Sequence, residues 1–368
     1  MKRFSVSVMV IAAITLVSSA RAGEIASEPE LRLELDLVDG SRIIGVPSIE
    51  SIPVETSYAK LDITLKQLLT LRIGEDRETA TLELRNGDKL KGVADLGALK
   101  LETVFGKVKI GSELIKAMRV VLSGGPLPEA LRKGLVLYYP FDGDEGSKVV
   151  DASDGRHDGD MVGAVKWNPC GAVGGCLEFE GIGESLSRYA ELAPSDTYRT
   201  RGRLSAALWT KLDGKWAIFL SNYHGGSAYP GQFLFGYDSE QHLSVQMGQA
   251  PGVIVYAYSS DRGLMTIGAW HHVAFTYDES RPSGAKIRIY LDGVEILGYQ
   301  VRQDGNGGEI LGTTERLRLW AHRAAQPTEP GCIDEVMLFD RVLTDLEIAA
   351  LAARAEPAAL SAQPQRSR

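Results

Sequence analysis

The chain has 368 residues, 44% of them hydrophobic and 24% charged, with a formal net charge of −8. That length exceeds one ordinary core and points to two domains plus tails. The acidic balance argues against a nucleic-acid partner, which needs a basic face.

The N-terminus reads as a targeting segment. Lys2 and Arg3 precede a short apolar run over 6–17, and Ala20-Arg21-Ala22 is a small-residue cleavage signature. The run falls short of the roughly 20 residues that span a bilayer. Residues 1–22 are therefore expected to be a cleaved signal peptide. The mature chain, with no membrane span, is expected to be secreted, periplasmic or on the cell surface.

Residues 31–122 contain a duplication. With a shift of 47, residues 35–74 lie over 82–121 without a gap, and ten positions are identical, among them Gly40/Gly87, Lys60/Lys107 and Arg72/Arg119. Each unit opens on an alternating strand, as in Leu33, Leu35 and Leu37, followed by Asp39-Gly40 or Asn86-Gly87. Those dipeptides favour a tight hairpin because the turn needs positive φ. A second strand pair follows in each unit, bending at Tyr58 or Phe105, and a short apolar segment (65–73 or 112–120) closes it. One such unit is too small to bury much alone, so the two are expected to pack as paired barrels or as one pseudo-symmetric sandwich. Lys60/Lys107 and Arg72/Arg119 are read first as exposed hairpin charge, and second as an anion site.

Gly and Pro at 124–128 break the pattern, so 123–133 is expected to be a linker. From 134 to 351, about a dozen short apolar-aromatic strands recur with turn signals between them and little helix. That spacing predicts a large antiparallel sandwich. Thr344 caps the one clear helix, over 344–354. The tail, 355–368, is too poor in apolar residues to fold and is expected to be disordered.

Five motifs occur in order: 139–143 (Tyr-Pro-Phe-Asp-Gly), 174–181 (Gly-Gly-Cys-Leu-Glu-Phe-Glu-Gly), 270–278 (Trp-His-His-Val-Ala-Phe-Thr-Tyr-Asp), 290–293 (Tyr-Leu-Asp-Gly) and 333–341 (Ile-Asp-Glu-Val-Met-Leu-Phe-Asp-Arg). Together they resemble the laminin-G-like domains of the concanavalin A-like lectin/glucanase superfamily. The resemblance implies an all-β fold: an antiparallel jelly-roll β-sandwich, preceded here by a small all-β domain of two 47-residue repeats. It also implies calcium as a candidate cofactor, with Asp142, Asp144 and Asp334 as ligands if the first and last strands are neighbours. The string 180–185 (Glu-Gly-Ile-Gly-Glu-Ser) departs from the family's usual Asp-rich stretch.

Other chemistry is less well supported. His271 and His272 point to opposite faces of a strand and cannot easily chelate one ion. Glycoside hydrolysis needs two carboxyl groups facing one bond, and the family's Glu-x-Asp-x-x-Glu string does not occur; Asp334 and Glu335 are expected on opposite faces. No Gly-x-Ser-x-Gly elbow is evident. Three cysteines leave one thiol over. Cys170 and Cys176 flank a Gly-rich loop able to close and are the first choice for a disulfide; Cys332 could pair with either only if their strands are neighbours. Ligand contact is read at Tyr223, His224 and Tyr229 of the loop 223–231, and at Trp320 and His322, beside the alternative that each belongs to ordinary core or loop packing.

The expected function is a non-catalytic binding or adhesion protein that recognises a glycan or an extracellular or cell-surface protein. The rivals are a divergent glycan hydrolase on the same sandwich and a structural subunit of a surface assembly.

Overall fold

The computed structural model describes residues 30–103, 105–123, 127–143, 146–180, 188–195, 202–222, 232–250, 253–304, 315–321 and 328–355. The expected signal peptide lies outside them, as does nearly all of the expected tail. Among them, no helix is long and apolar enough to cross a membrane.

The duplication forms ten strands: β1 (Glu30–Leu37), β2 (Arg42–Pro47), β3 (Ser51–Thr56), β4 (Lys60–Thr64), β5 (Leu68–Ile73), β6 (Ala80–Leu84), β7 (Lys89–Ala94), β8 (Ala98–Thr103), β9 (Gly106–Gly111) and β10 (Ile115–Ser123). Gly40 and Gly87 have φ of 86° and 87°, which is the conformation their hairpins require. The terminal apolar segments are strands, and β5 and β10 pair at the centre of one continuous sheet, β4-β3-β7-β6-β5-β10-β1-β2-β8-β9. The units are interlaced. The β3–β4 hairpin of the first pairs with β7 of the second, and the β8–β9 hairpin of the second pairs with β2 of the first. Leu33, Leu35, Leu71, Leu82, Met118 and Val120 share one core. Exchanging hairpins lets two units that are individually too small close a common interior.

After the short helix α1 (Glu129–Arg132), seventeen strands follow. The first nine are β11 (Leu135–Tyr139), β12 (Lys148–Val149), β13 (Gly159–Gly163), β14 (Val165–Asn168), β15 (Cys176–Phe179), β16 (Arg188–Leu192), β17 (Arg203–Leu212), β18 (Ala217–Ser221) and β19 (Phe233–Tyr237). The rest are β20 (Leu243–Ala250), β21 (Val253–Ser259), β22 (Trp270–Asp278), β23 (Ile287–Leu291), β24 (Val294–Glu295), β25 (Tyr299–Asp304), β26 (Leu317–Leu319) and β27 (Gly331–Phe339), before helix α2 (Asp345–Ala352). They make two antiparallel sheets. One runs β14-β15-β27-β17-β22-β23-β24, with β11 also on β27; the other runs β12-β13-β16-β26-β18-β19-β20-β21-β25. The fold is all-β, an antiparallel sandwich of the jelly-roll kind.

Alternation sorts the residues between the faces. Val273, Phe275 and Tyr277 enter the core between the sheets with Phe219, Phe233 and Phe235. Phe275 meets Phe235 edge to face, ring centroids 5.1 Å apart. The outer face of the first sheet is covered as well. Ala207, Ala274, Met337 and Phe339 lie under Leu127 and Leu131 of the α1 segment and Ile348 and Leu351 of α2. Thr344 and Glu347 form a reciprocal capping box at the start of α2.

Trp320, a candidate ligand residue, belongs to the core. It is fully buried and stacks on Phe179 at 5.0 Å, and its Nε1 donates to the Glu329 carbonyl at 2.8 Å. Its positive φ of 66° turns the ring inward from the end of β26. The ring also requires glycine at 331. A Cβ there would sit 2.5 Å from the Lys211 carbonyl and 2.7 Å from the Trp320 ring. Gly331→Ala is therefore expected to destabilise the sandwich by about 1–3 kcal/mol, as overpacking does, measured by chemical denaturation followed through tryptophan fluorescence.

Candidate functional site

The site is built outward from β27. Its Cys332 and Ile333 end pairs with β15, and its Val336–Phe339 end pairs with β11, so β15 and β11 lie end to end along the same edge. On the other edge the pairing with β17 shifts between Ala207 and Trp209, where β27 advances three residues against two of β17. The resulting bulge falls at Asp334 and Glu335, and Glu335 takes a φ of 48°. Strict alternation would have put the two carboxylates on opposite faces. The bulge turns both toward the outer side, where both are buried.

Each is held by its own partners. The Asp334 carboxylate accepts from Val173 N at 2.8 Å and Glu335 N at 2.7 Å. Glu335 accepts from the Tyr138 hydroxyl at 2.8 Å and from Arg354 Nε at 2.9 Å. Burial pushes the Asp334 carboxyl well up, reinforced by the Glu335 charge. Burial also raises Glu335, and Arg354 opposes that rise. Arg354 follows α2, so this pair ties the C-terminal helix to the sheet.

Asp334 thereby fixes the loop 170–175. Asp142 holds the same loop from the first strand's side, accepting from Gly175 N at 3.3 Å. The first and last strands are thus neighbours, as the calcium expectation required. However, both carboxylates are engaged by backbone N–H groups. Among the described residues, no group of three or more His, Cys, Asp or Glu side chains is arranged to hold a metal ion. Asp144 lies outside the described residues.

The expected Cys170–Cys176 bridge is not formed, and all three cysteines are free. Cys176 lies diagonally across from Cys332, because Glu178 pairs with Cys332. Its thiol donates to the Cys170 carbonyl at 3.8 Å, and burial, reinforced by the neighbouring Cys332 thiol, raises its pKa. Both sit in a cluster with Val173, Trp209 and Trp270. Cys170 instead lines a cleft.

The repeat sheet docks on this loop. Arg85, 4% exposed, follows β6 and donates through Nη1 to the Gly171 carbonyl at 3.0 Å and the Ala172 carbonyl at 3.2 Å. Its Nη2 donates to Val120 O at 2.9 Å. Burial lowers its pKa to about 10, so it stays charged at neutral pH, with Asp334 nearby. The sheet and the sandwich leave two adjoining clefts. One, of about 590 Å³, is lined by Arg32, Glu34, Arg42, Phe141, Asp142 and Trp167 among others. The second, of about 620 Å³, shares Arg42 and Asn168 with the first. Glu34 Oε2 is buried in the interface with no hydrogen-bond donor; the nearest cation, Arg119 Nε, is 3.9 Å away.

Sequence reasoning missed this cleft, although the Arg72/Arg119 identity was a signal for it. Both arginines line the second cleft from β5 and β10 and are not hairpin charges. Tyr223, His224, Tyr229 and His322 lie outside the described residues. The His271–His272 pair is structural. His271 Nδ1 is 2.9 Å from Asp292, and its Nε2 accepts from Thr266 N. His272 faces the other way, buried edge-on against Trp209 with centroids 5.4 Å apart.

Two outcomes are expected. Burial lowers the His272 pKa to about 4, against roughly 6.5 when unfolded. The unfolded chain therefore binds a proton between those values and the folded chain does not, so stability falls with pH across that window. About 2–3 kcal/mol should be lost between pH 7 and 4.5 on this account, and His272→Phe should remove that share in denaturant titrations at the two pH values. Arg85→Met should uncouple the domains, costing about 3 kcal/mol because buried carbonyls of Gly171, Ala172 and Val120 lose a charged donor. Calorimetry should then resolve two transitions.

Residues 184–349 match the family model Laminin_G_3, described as the concanavalin A-like lectin/glucanases superfamily. Among solved structures, the chain is similar to one of botulinum neurotoxin type C, a toxin whose cell entry is described as dependent upon interaction with two ganglioside molecules (14% identity, TM-score 0.48, covering 62% of this chain and 52% of that one). It is also similar to the binding domain of Paraclostridial Mosquitocidal Protein 1 (13%, 0.44, 60% and 52%). A third is the binding domain of botulinum neurotoxin DC in complex with rat synaptotagmin II (12%, 0.48, 62% and 53%). The similarity spans about half the length of those chains. No curated protein sequence matches. The family match thus falls on the sandwich: residues 184–349 carry a laminin-G-like domain of the concanavalin A-like superfamily.

Proposed function

We propose that this is an exported, non-catalytic binding or adhesion protein whose laminin-G-like domain recognises a glycan or another protein, with the cleft against the repeat sheet as its site. Export is read from residues 1–22. The observation that carries the reading is the content of the smaller cleft. Phe141 and Trp167, ring centroids 6.1 Å apart, stand beside Arg32, Arg42 and Asp142. An aromatic ring can cover the apolar face of a pyranose while forked donors and carboxylates take its hydroxyls. Glu34 Oε2, buried and without a donor, is an acceptor that a ligand hydroxyl would satisfy. The lectin membership of the superfamily agrees with a glycan.

A glycan array with and without calcium is the direct test. Trp167→Ala should weaken the best-bound glycan by about 10-fold or more, the equivalent of 1.4 kcal/mol. An unchanged affinity would remove the cleft from consideration. Release of free sugar from the bound glycan would instead place the protein with the hydrolases.

A further inference from the structure

The second cleft differs in chemistry from the first. Arg42, Arg72, Lys116, Arg119 and Lys211 line it against two carboxylates, Asp36 and Glu83. Asp36 is already shared, accepting from Arg42 at 2.8 Å and Arg119 at 2.9 Å, and those bonds hold its carboxyl below the usual range, the one to Arg42 foremost. Arg72, Lys116 and Lys211 have no carboxylate within ion-pair distance among the described residues. The chain carries −8 overall, so this positive surplus is local and set by the fold.

The duplication explains how it arises. Arg72 and Arg119 are the same position in the two units. Antiparallel pairing of β5 with β10 sets Ala117 opposite Arg72 and Thr70 opposite Arg119. The two arginines therefore lie diagonally on one face, opposite the Met118 and Leu71 face that builds the core. Lys211 arrives from β17 of the sandwich, on the same side as Trp209. Cations from both domains meet in one concave space, where field lines focus.

We infer that this cleft is an anion subsite, and that the ligand is an acidic polysaccharide whose carboxylate or sulfate groups sit among Arg72, Lys116 and Lys211 while a neighbouring sugar ring lies on Trp167. Arg42 and Asn168 line both spaces, so one extended chain can occupy the two together. Alternation of apolar ring faces and anionic groups suits a saccharide better than an acidic peptide, which has no ring to stack. The inference rests on the binding reading above and narrows its substrate class.

The test compares immobilised polygalacturonate, dextran sulfate, neutral dextran and polyglutamate. The full-length protein should retain polygalacturonate or dextran sulfate in a salt-sensitive way. The triple variant Arg72→Gln, Lys116→Gln, Lys211→Gln should bind about 30-fold more weakly, or about 2 kcal/mol. A control removing as many charges elsewhere, Lys60→Gln, Lys107→Gln, Lys109→Gln at the exposed hairpins, should change little. Lys116→Glu, on an exposed bulge, repeats the test with one substitution should the triple variant fold poorly. Equal losses in cleft and hairpin variants would overturn the inference. So would equal retention of dextran, or of polyglutamate. If a neutral glycan binds in a Trp167-dependent way with no anionic preference, the binding reading stands and the anion subsite fails. If none of these polysaccharides is retained, the inference fails, and the binding reading is left to a glycan of the array or to a protein.

Discussion

Two carboxylates lie in the middle of a strand buried along its whole length, and the rest of the architecture depends on how they are satisfied. Asp334 and Glu335 occupy the bulge of β27, where β15 ends and β11 begins. A buried carboxylate without partners is costly, so the surrounding chain is arranged to supply them. Val173 donates to Asp334, which fixes the loop 170–175. Tyr138 and Arg354 converge on Glu335, which fixes the end of the C-terminal helix. The fixed loop presents the Gly171 and Ala172 carbonyls that Arg85 grips. From one bulge, the contacts lead to the position of the repeat sheet and so to both clefts.

The repeat sheet adds a second constraint. Duplication with hairpin exchange places core residues of both units in one interior, so neither unit holds the core alone. It also doubles whatever the unit carries on its other face. Arg72 and Arg119 stand side by side for this reason, and Asp36 reaches only Arg42 and Arg119. The asymmetry leaves surplus positive charge beside the sandwich. The aromatic half of the groove has a separate origin, in the β14 hairpin and the end of β11. The two halves meet because Arg85 docks one domain on the other.

Much of the fold was legible in the chain. The alternation of Leu33, Leu35 and Leu37 announced a half-buried strand. Asp39-Gly40 and Asn86-Gly87 announced hairpins, and Thr344 announced a cap. These are local signals, set within a few residues by backbone sterics and by period. Errors arose where a local rule was overridden. Trp320 stood near a strand end as a candidate ligand contact, but a positive φ turns it inward onto Phe179, so its core alternative holds. Asp334 and Glu335 looked as if they should alternate, but the bulge sends both to one side. Cys170 and Cys176 looked close along the chain, but Cys176 lies diagonally from Cys332 on the adjacent strand.

The amino-acid sequence by itself determined the class of fold, the duplication and the run of strands that the laminin-G-like match covers, because period and turn chemistry act over short range. Only the tertiary structure decided that the two repeat units exchange hairpins, that Arg85 latches them to the loop 170–175, and that Arg72, Lys116 and Lys211 face one space. Those pairings join residues from 35 to almost 140 positions apart. Burial and hydrogen-bond satisfaction across the whole molecule select them, and no local stretch of chain encodes that balance.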